Sequence, residues 1–83
     1  MDNNETLKFK IQDRSQIVKD SMMSVKIALE EKGYNPVNQI VGYIMSGDPT
    51  YITSHKDARN IIRQIERDEL LEKMVENYIG LAD

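Results

Sequence analysis

The chain has 83 residues, of which 40% are hydrophobic and 30% charged, and its formal net charge is −3. This length predicts one small domain with a thin core, which a second copy of the chain would help to complete. The lack of cysteine excludes a disulfide, a thiolate metal site and a thiol nucleophile. No apolar run approaches a membrane-spanning length and no signal peptide is visible, so we expect a cytoplasmic protein without membrane contact. The acidic balance disfavours nucleic-acid binding.

The first segment, residues 1–12, is polar and has no helical period, and we expect it to be a flexible regulatory tail. Three apolar residues alternate with lysines over residues 7–11, which is typical of a short strand or an extended arm. Thr6 precedes this alternation and is expected to be exposed, because chain ends are commonly mobile. Residues 13–83 are predicted to form a single helical domain.

The first predicted helix starts near Asp13 or Ser15 and runs to Lys32. Its apolar residues recur at helical spacing and therefore predict one buried seam. The seam consists of Val18, Met22, Val25 and Leu29, supported by Ser21 and Ala28, with Ile17 and Ile27 at its edges. Gly33 is predicted to end this helix, since glycine accepts the left-handed conformation that commonly terminates helices.

A second helix is predicted to begin at Pro36, with Asn35 as its N-cap, and to end at Gly47. Its apolar face comprises Val37, Ile40, Val41 and Ile44, widened by Tyr43 and Met45. Asp48 and Pro49 repeat the cap-and-proline pattern, which predicts a short helical turn. We expect a buried hairpin of two helices. Structural rather than ligand-binding roles are assigned to Gly33, Pro36, Gly47 and Pro49.

Ser54 is predicted to cap a further helix, with Asp57 three residues later in a capping-box position. The rest of the chain carries two apolar faces that lie roughly opposite each other. The first consists of Ala58, Ile61, Ile62 and Ile65, and the second of Leu70, Leu71, Met74, Val75, Tyr78 and Ile79. Either the chain breaks near Arg67 and Asp68, with Asp68 as a new N-cap, or one face is reserved for another molecule.

We therefore predict an all-α fold, a compact bundle of about four to five helices that forms an intertwined homodimer. The predicted dimer interface is formed by Leu71, Met74, Val75 and Tyr78.

The sequence contains no recognisable catalytic or metal-binding pattern. His55 is the single histidine and has no second histidine or cysteine as a partner, so we interpret it as a surface or helix-cap residue. Adjacent acidic residues diverge on a helix and do not form an acid/base pair. The glycines lack the lysine-containing ending of a phosphate loop. We expect no enzymatic activity, no cofactor, no metal and no small-molecule ligand.

Four cationic residues recur every three or four positions and predict a stripe along the third helix. They are Lys56, Arg59, Arg63 and Arg67. Such a stripe suits a phosphate group, the DNA backbone or an acidic partner, although a solvated face with nearby acidic residues is the simpler interpretation. An alternative function is a dimeric helix-turn-helix DNA-binding protein that uses residues 54–67 as its recognition helix, which the acidic net charge disfavours.

Three motifs, GYNPVNQIVGY, SGDPTYI and ARxxIRxxERDE, closely resemble the IreB/ReoM family of small Firmicute regulators, over residues 28–79 and more loosely before them. The resemblance implies a helical, dimeric and cytoplasmic adaptor without catalysis. It implies a substrate of the membrane Ser/Thr kinase with extracellular PASTA repeats and of its cognate phosphatase. Phosphorylation in this family controls peptidoglycan precursor synthesis and β-lactam tolerance, including that to cephalosporins. The route is Clp-protease turnover of UDP-N-acetylglucosamine 1-carboxyvinyltransferase.

The resemblance also implies roles for particular residues. The family's phosphoacceptor is a threonine in a T-[ML]-x-F context, and Thr6 in ETLKF takes that place. The ARxxIRxxERD pattern belongs to the family's signature, which favours a partner-binding or phosphate-binding role for the four cationic residues. Relatives often carry proline or a basic residue before the histidine, where this chain has Thr53 and Ser54.

Overall fold

A computed structural model describes the backbone of residues 3–81 and the side chains of residues 14–81. This part of the chain contains four α-helices, two short 3-10 turns and no strand. The helices are α1 (Asn3–Glu31), α2 (Pro36–Ser46), α3 (Ala58–Arg63) and α4 (Arg67–Tyr78), and the 3-10 turns span Pro49–Tyr51 and His55–Asp57. The predicted all-helical fold is confirmed.

Helix α1 begins at Asn3 rather than at Asp13 or Ser15, so residues 7–11 have a helical and not an extended backbone. Neither proline nor glycine occurs between Asn3 and the end of α1, so no residue type there strongly disfavours a helix. The alternation that indicated a strand was too short to outweigh this. The side chain of Thr6 lies outside the described residues, and a separate regulatory role for residues 1–12 stays a prediction.

The core lies where α1 packs across α3, with Ile40 and Tyr43 added by α2 and Leu70 added by α4. Its buried hydrophobic members are Val18, Val25, Ala28, Leu29, Ile40, Tyr43, Ile52, Ala58, Ile62, Ile65 and Leu70. The seam predicted for α1 is thus confirmed, with Met22 partly buried against it. The apolar face predicted around α3 is confirmed as well.

Helix α1 ends in a Schellman motif. The amide of Tyr34 donates to the carbonyl of Leu29 at 2.9 Å, and the amide of Gly33 donates to the carbonyl of Glu30 at 3.0 Å. Gly33 has φ +83°, a conformation in which a Cβ is strained. The chain therefore reverses direction immediately after the helix.

Helix α2 has a side-chain cap at its start and a glycine at its end. The Asn35 side chain accepts a hydrogen bond from the amide of Asn38 at 3.0 Å, and Pro36 occupies the first turn. Gly47, with φ +75°, donates its amide to the carbonyl of Tyr43 at 2.7 Å. Both ends of α2 are thus specified by local interactions.

The start of α3 differs from the sequence prediction. Ser54 makes no capping hydrogen bond with its side chain, and α3 begins at Ala58. Lys56 and Asp57 instead adopt left-handed conformations, with φ 54° and 61°. The capping-box prediction is wrong, because the chain turns sharply where a cap requires an extended residue followed by helix. The six-residue α3 also replaces the continuous recognition helix over residues 54–67 that the DNA-binding alternative requires.

The chain after the second 3-10 turn forms two α-helices and not one. Helix α3 ends at Arg63, and α4 begins at Arg67 after an extended Glu66 with ψ 142°. Of the two alternatives that the sequence left open, the chain break is the one observed, but Glu66 and not Asp68 is the N-cap. Asp68 lies in the first turn of α4, where a carboxylate interacts favourably with the helix dipole. The break changes the direction of the chain so that Leu70 joins the core.

Two helix faces remain exposed. On α2 the exposed apolar residues are Val37, Val41 and Met45, and on α4 they are Leu71, Val75 and Tyr78. Helix α2 of the expected buried hairpin is therefore buried on one side only, where Ile40 and Tyr43 are buried and Ile44 is partly buried against the core. No helix within the described range is long and apolar enough to cross a membrane.

Candidate functional site

The four predicted cationic residues lie on three different elements. Lys56 lies in the second 3-10 turn, Arg59 and Arg63 lie on α3, and Arg67 is the first residue of α4. The interruptions on both sides of α3 prevent these residues from forming one stripe along a single helix, so that geometric prediction is wrong. Their individual contacts decide which of them has donors available to a ligand.

Two of these arginines hold a single connecting segment, residues 44–52. The Nε atom of Arg59 donates to the carbonyl oxygen of Ile52 at 2.8 Å, and Nη1 of Arg67 donates to that of Ile44 at 2.9 Å. A guanidinium group has five donors, so each arginine retains others. Both residues therefore stabilise the connection between α2 and α3, and only their other donors are left for a binding surface.

The segment held by the arginines is also ordered by its own side chains. The Asp48 carboxylate accepts hydrogen bonds from the hydroxyl of Thr50 at 2.7 Å and from the amide of Thr50 at 2.9 Å. These bonds, the hydroxyl first, lower the pKa of Asp48, and the charge of Arg59 adds to the effect. Pro49 occupies the first position of the following turn. The SGDPTYI motif is thus a capped and anchored connection.

Lys56 is bound to helix α1. Its Nζ atom lies 3.0 Å from Oε2 of Glu31, and Nε2 of His55 lies 2.8 Å from Oε1 of the same carboxylate. The hydrogen bond from Lys56, and after it that from His55, lowers the pKa of Glu31. The sequence interpretation of His55 as a surface or cap residue missed this contact, because its partner lies 24 residues away.

Arg63 differs from the other three cationic residues. It is exposed, and its guanidinium group has no hydrogen bond or ion pair to another residue of the range whose side chains are described. Among residues 14–81, therefore, no side chain or carbonyl occupies its donors, which suit a carboxylate or phosphate group. Arg63 is the strongest candidate in this set for contact with an anionic partner.

The predicted dimer residues form an exposed strip on α4. Leu71 and Val75 are about half exposed, at 49% and 48%, and Tyr78 is 92% exposed. Met74 instead packs partly against the core. The strip is apolar and accessible in the single chain, and its use as a dimer interface stays a prediction.

A charged depression lies between α1 and the start of α4. The Nε atom of Arg14 donates to Oε2 of Glu69 at 3.0 Å, and this hydrogen bond lowers the pKa of Glu69. The depression has a volume of about 440 Å³ and contains none of the predicted site residues. Its lining consists of Arg14, Glu66, Asp68, Glu69, Glu72 and Lys73.

The sequence profile of one protein family matches nearly the whole chain. The family is that of the IreB regulatory phosphoproteins, and the matched residues are 4–80. This range contains Thr6, the anchored segment at residues 44–52 and all four cationic residues. The match agrees with the resemblance that the sequence motifs indicated. The chain therefore belongs to the IreB family of regulatory phosphoproteins.

Proposed function

We propose that the chain is a non-catalytic, cytoplasmic regulator of peptidoglycan precursor synthesis and of β-lactam and cephalosporin tolerance. The PASTA-domain Ser/Thr kinase phosphorylates Thr6, and the cognate phosphatase removes the phosphate. The regulator acts through protein–protein contacts that influence Clp-protease turnover of UDP-N-acetylglucosamine 1-carboxyvinyltransferase.

The observation that carries this proposal is the family match over residues 4–80, which includes Thr6 in its ETLKF context. Phosphorylation adds about −1.5 to −2 charges at neutral pH, together with strong acceptor oxygens. We call Lys56, Arg59, Arg63 and Arg67 the cationic set and propose that it binds this phosphate. Arg63 supports this role, because its donors are not used by other described residues. Arg59 and Arg67 each have further donors besides the one that binds a carbonyl, and these donors add to the surface around Arg63.

The proposed switch is a competition for this cationic set. When Thr6 is unmodified, Arg63 and its neighbours contact an acidic partner protein. When Thr6 carries phosphate, either residues 1–12 leave helix α1 and cover these residues, or the phosphate repels the acidic partner. The alternative is that another protein reads the phosphate directly, without any contact to Arg63.

Phosphorylation of Thr6 is tested directly with the purified kinase domain. We expect one phosphate per chain, located on Thr6 by peptide mass spectrometry, and none on a Thr6→Ala variant. Thr50→Ala is the matched control, since it removes a threonine hydroxyl from the folded part and leaves the tail unchanged. Equal phosphate incorporation by the wild-type chain and Thr6→Ala would contradict the assignment. In cells, Thr6→Ala should change the half-life of the carboxyvinyltransferase.

Arg63→Ala is expected to abolish regulation of that half-life while leaving the fold intact. Its guanidinium group stabilises no described residue, so the free energy of unfolding should change by less than about 0.5 kcal/mol. Lys19→Ala is the control, because it removes the same charge from an exposed position on α1. On phosphorylation, the NMR resonances of Arg63 should shift together with those of the tail. Shifts confined to the residues around Thr6 would contradict docking.

We also propose that the regulator is a homodimer that associates through Leu71, Met74, Val75 and Tyr78. Sedimentation velocity at micromolar concentration should then give twice the chain mass. Val75→Asp should shift the protein to monomer, because it places a charge in an apolar contact. Val75 is the preferred position, since a charge at Met74 also disturbs the core.

The control for the dimer experiment is Glu72→Ala on the same helix, which should remain dimeric. A wild-type protein that sediments as a monomer, or a Val75→Asp variant that stays dimeric, would exclude this interface.

A further inference from the structure

The turn that precedes α3 has an unfavourable backbone. Lys56 and Asp57 are the non-glycine residues with positive φ in the described part of the chain, at 54° and 61°. Residues with a Cβ avoid this region, and two in succession are uncommon. Such a conformation persists only where surrounding contacts favour it.

Glu31, the last residue of α1, supplies contacts of this kind. One carboxylate oxygen binds Nε2 of His55 at 2.8 Å and the other binds Nζ of Lys56 at 3.0 Å. An ionised carboxylate only accepts, so Nε2 of His55 is the donor in this contact, and the bonds from Lys56 and His55 lower the pKa of Glu31. A single side chain thus bridges two consecutive residues at the start of the strained turn.

Other hydrogen bonds support this turn from within. The amide of His55 donates to the hydroxyl of Thr53 at 3.1 Å, and the amide of Asp57 donates to the carbonyl of Ser54 at 3.0 Å. All of these contacts are local in the chain. The bonds to Glu31 connect the turn to a different helix.

We propose that Glu31, His55 and Lys56 form a clasp that holds the strained turn closed and thereby positions α3. Helix α3 has only six residues and begins directly after the turn, so the turn fixes where the helix starts, while Ala58 and Ile62 pack the helix into the core. Arg59 and Arg63 lie on this helix, which makes the members of the clasp positioning residues for the cationic set. The inference rests on the proposed function only in treating that set as a contact surface.

The clasp should act on local order more than on global stability. Its three side chains are 34% to 57% exposed, and exposed ion pairs add little to the free energy of unfolding. A local opening of the turn, however, requires only that the bridge and the bonds within the turn break. The appropriate measurement is therefore native-state hydrogen exchange at the turn.

The test compares Glu31→Gln with Glu30→Gln. The two substitutions remove the same charge from adjacent residues, but the described partner of Glu30 is Lys26 on its own helix. We expect exchange at the amides of Asp57 and Ala58 to accelerate roughly 3- to 10-fold in Glu31→Gln and to stay unchanged in Glu30→Gln. Equal exchange in the two variants would overturn the clasp.

Repeating the Glu31→Gln exchange measurement in a second variant distinguishes the clasp from an ordinary ion pair. In Asp57→Gly one of the two left-handed residues is no longer strained while Glu31, His55 and Lys56 all remain, so Glu31→Gln should accelerate exchange less there. The same acceleration in both backgrounds would show that Glu31 does not act on the strain, which would overturn the inference.

The functional part is tested separately, by the half-life of the carboxyvinyltransferase in cells. Loss of regulation in both Glu31→Gln and Arg63→Ala supports the clasp as a positioning device. If Arg63→Ala loses regulation and Glu31→Gln opens the turn without loss, the positioning role is wrong. If neither variant affects regulation, the proposed contact surface is wrong, while the exchange data still decide whether the clasp exists.

Discussion

Replacing Leu29 with alanine is expected to lower the free energy of unfolding by about 2–5 kcal/mol. Leu29 is fully buried on α1 and belongs to the cluster that joins α1 to α3. Its truncation removes apolar contacts and leaves a cavity that a small core fills poorly. A domain of this length has a total stability of about 4–12 kcal/mol, so the loss is a large fraction of it.

Ile27→Ala is the matched control for Leu29→Ala. Ile27 lies on the same helix two residues earlier and is 43% exposed, so its truncation should cost no more than about 1 kcal/mol. Urea unfolding followed by far-UV circular dichroism measures both values, at one fixed protein concentration because association shifts apparent stability. If Leu29→Ala lowered the free energy of unfolding no more than Ile27→Ala does, Leu29 would not be a core residue.

Replacing Gly47 with alanine is expected to destabilise the fold by about 2–3 kcal/mol, from two separable sources. Its φ of +75° is strained for any residue with a Cβ. A Cβ at this position would also lie 2.8 Å from Cζ of Arg67. The guanidinium group would have to move, and we expect this movement to weaken its hydrogen bond to the carbonyl of Ile44.

Gly33→Ala isolates the first of these sources. Gly33 has a similar φ of +83°, but a Cβ there would meet no atom within 4 Å. Its replacement should therefore cost only about 1–2 kcal/mol, from the backbone alone. In an Arg67→Ala background, the cost of Gly47→Ala should fall to the cost of Gly33→Ala. Equal costs for the two glycines in the wild-type background would mean that Arg67 does not hold the segment.

The sequence alone determined the class of the fold, the seam of α1 and the main helix boundaries around Gly33 and Gly47. These features depend on interactions between residues close together in the chain. The Schellman bonds at Gly33 reach back only to Leu29 and Glu30, and the cap of α2 joins Asn35 to Asn38. Helical periodicity likewise reports which residues share a face before any tertiary contact is known.

The start of α3 shows where local patterns failed. The spacing of Ser54 and Asp57 indicated a capping box, yet Lys56 and Asp57 both adopt the left-handed conformation, which lysine avoids and aspartate adopts only occasionally. A contact with the distant residue Glu31 accompanies this conformation. No local pattern encodes such a contact.

The tertiary structure alone decided how the cationic residues are used. Their spacing indicated four equivalent side chains along one helix. In the folded chain Arg59 and Arg67 bind the carbonyls of Ile52 and Ile44, and Lys56 binds α1, whereas Arg63 donates to none of the side chains or carbonyls that the structure describes. Guanidinium and ammonium groups pair with whichever acceptor the packing brings within hydrogen-bond distance. That choice depends on helix directions that are set by the core, and not on the order of residues within one segment.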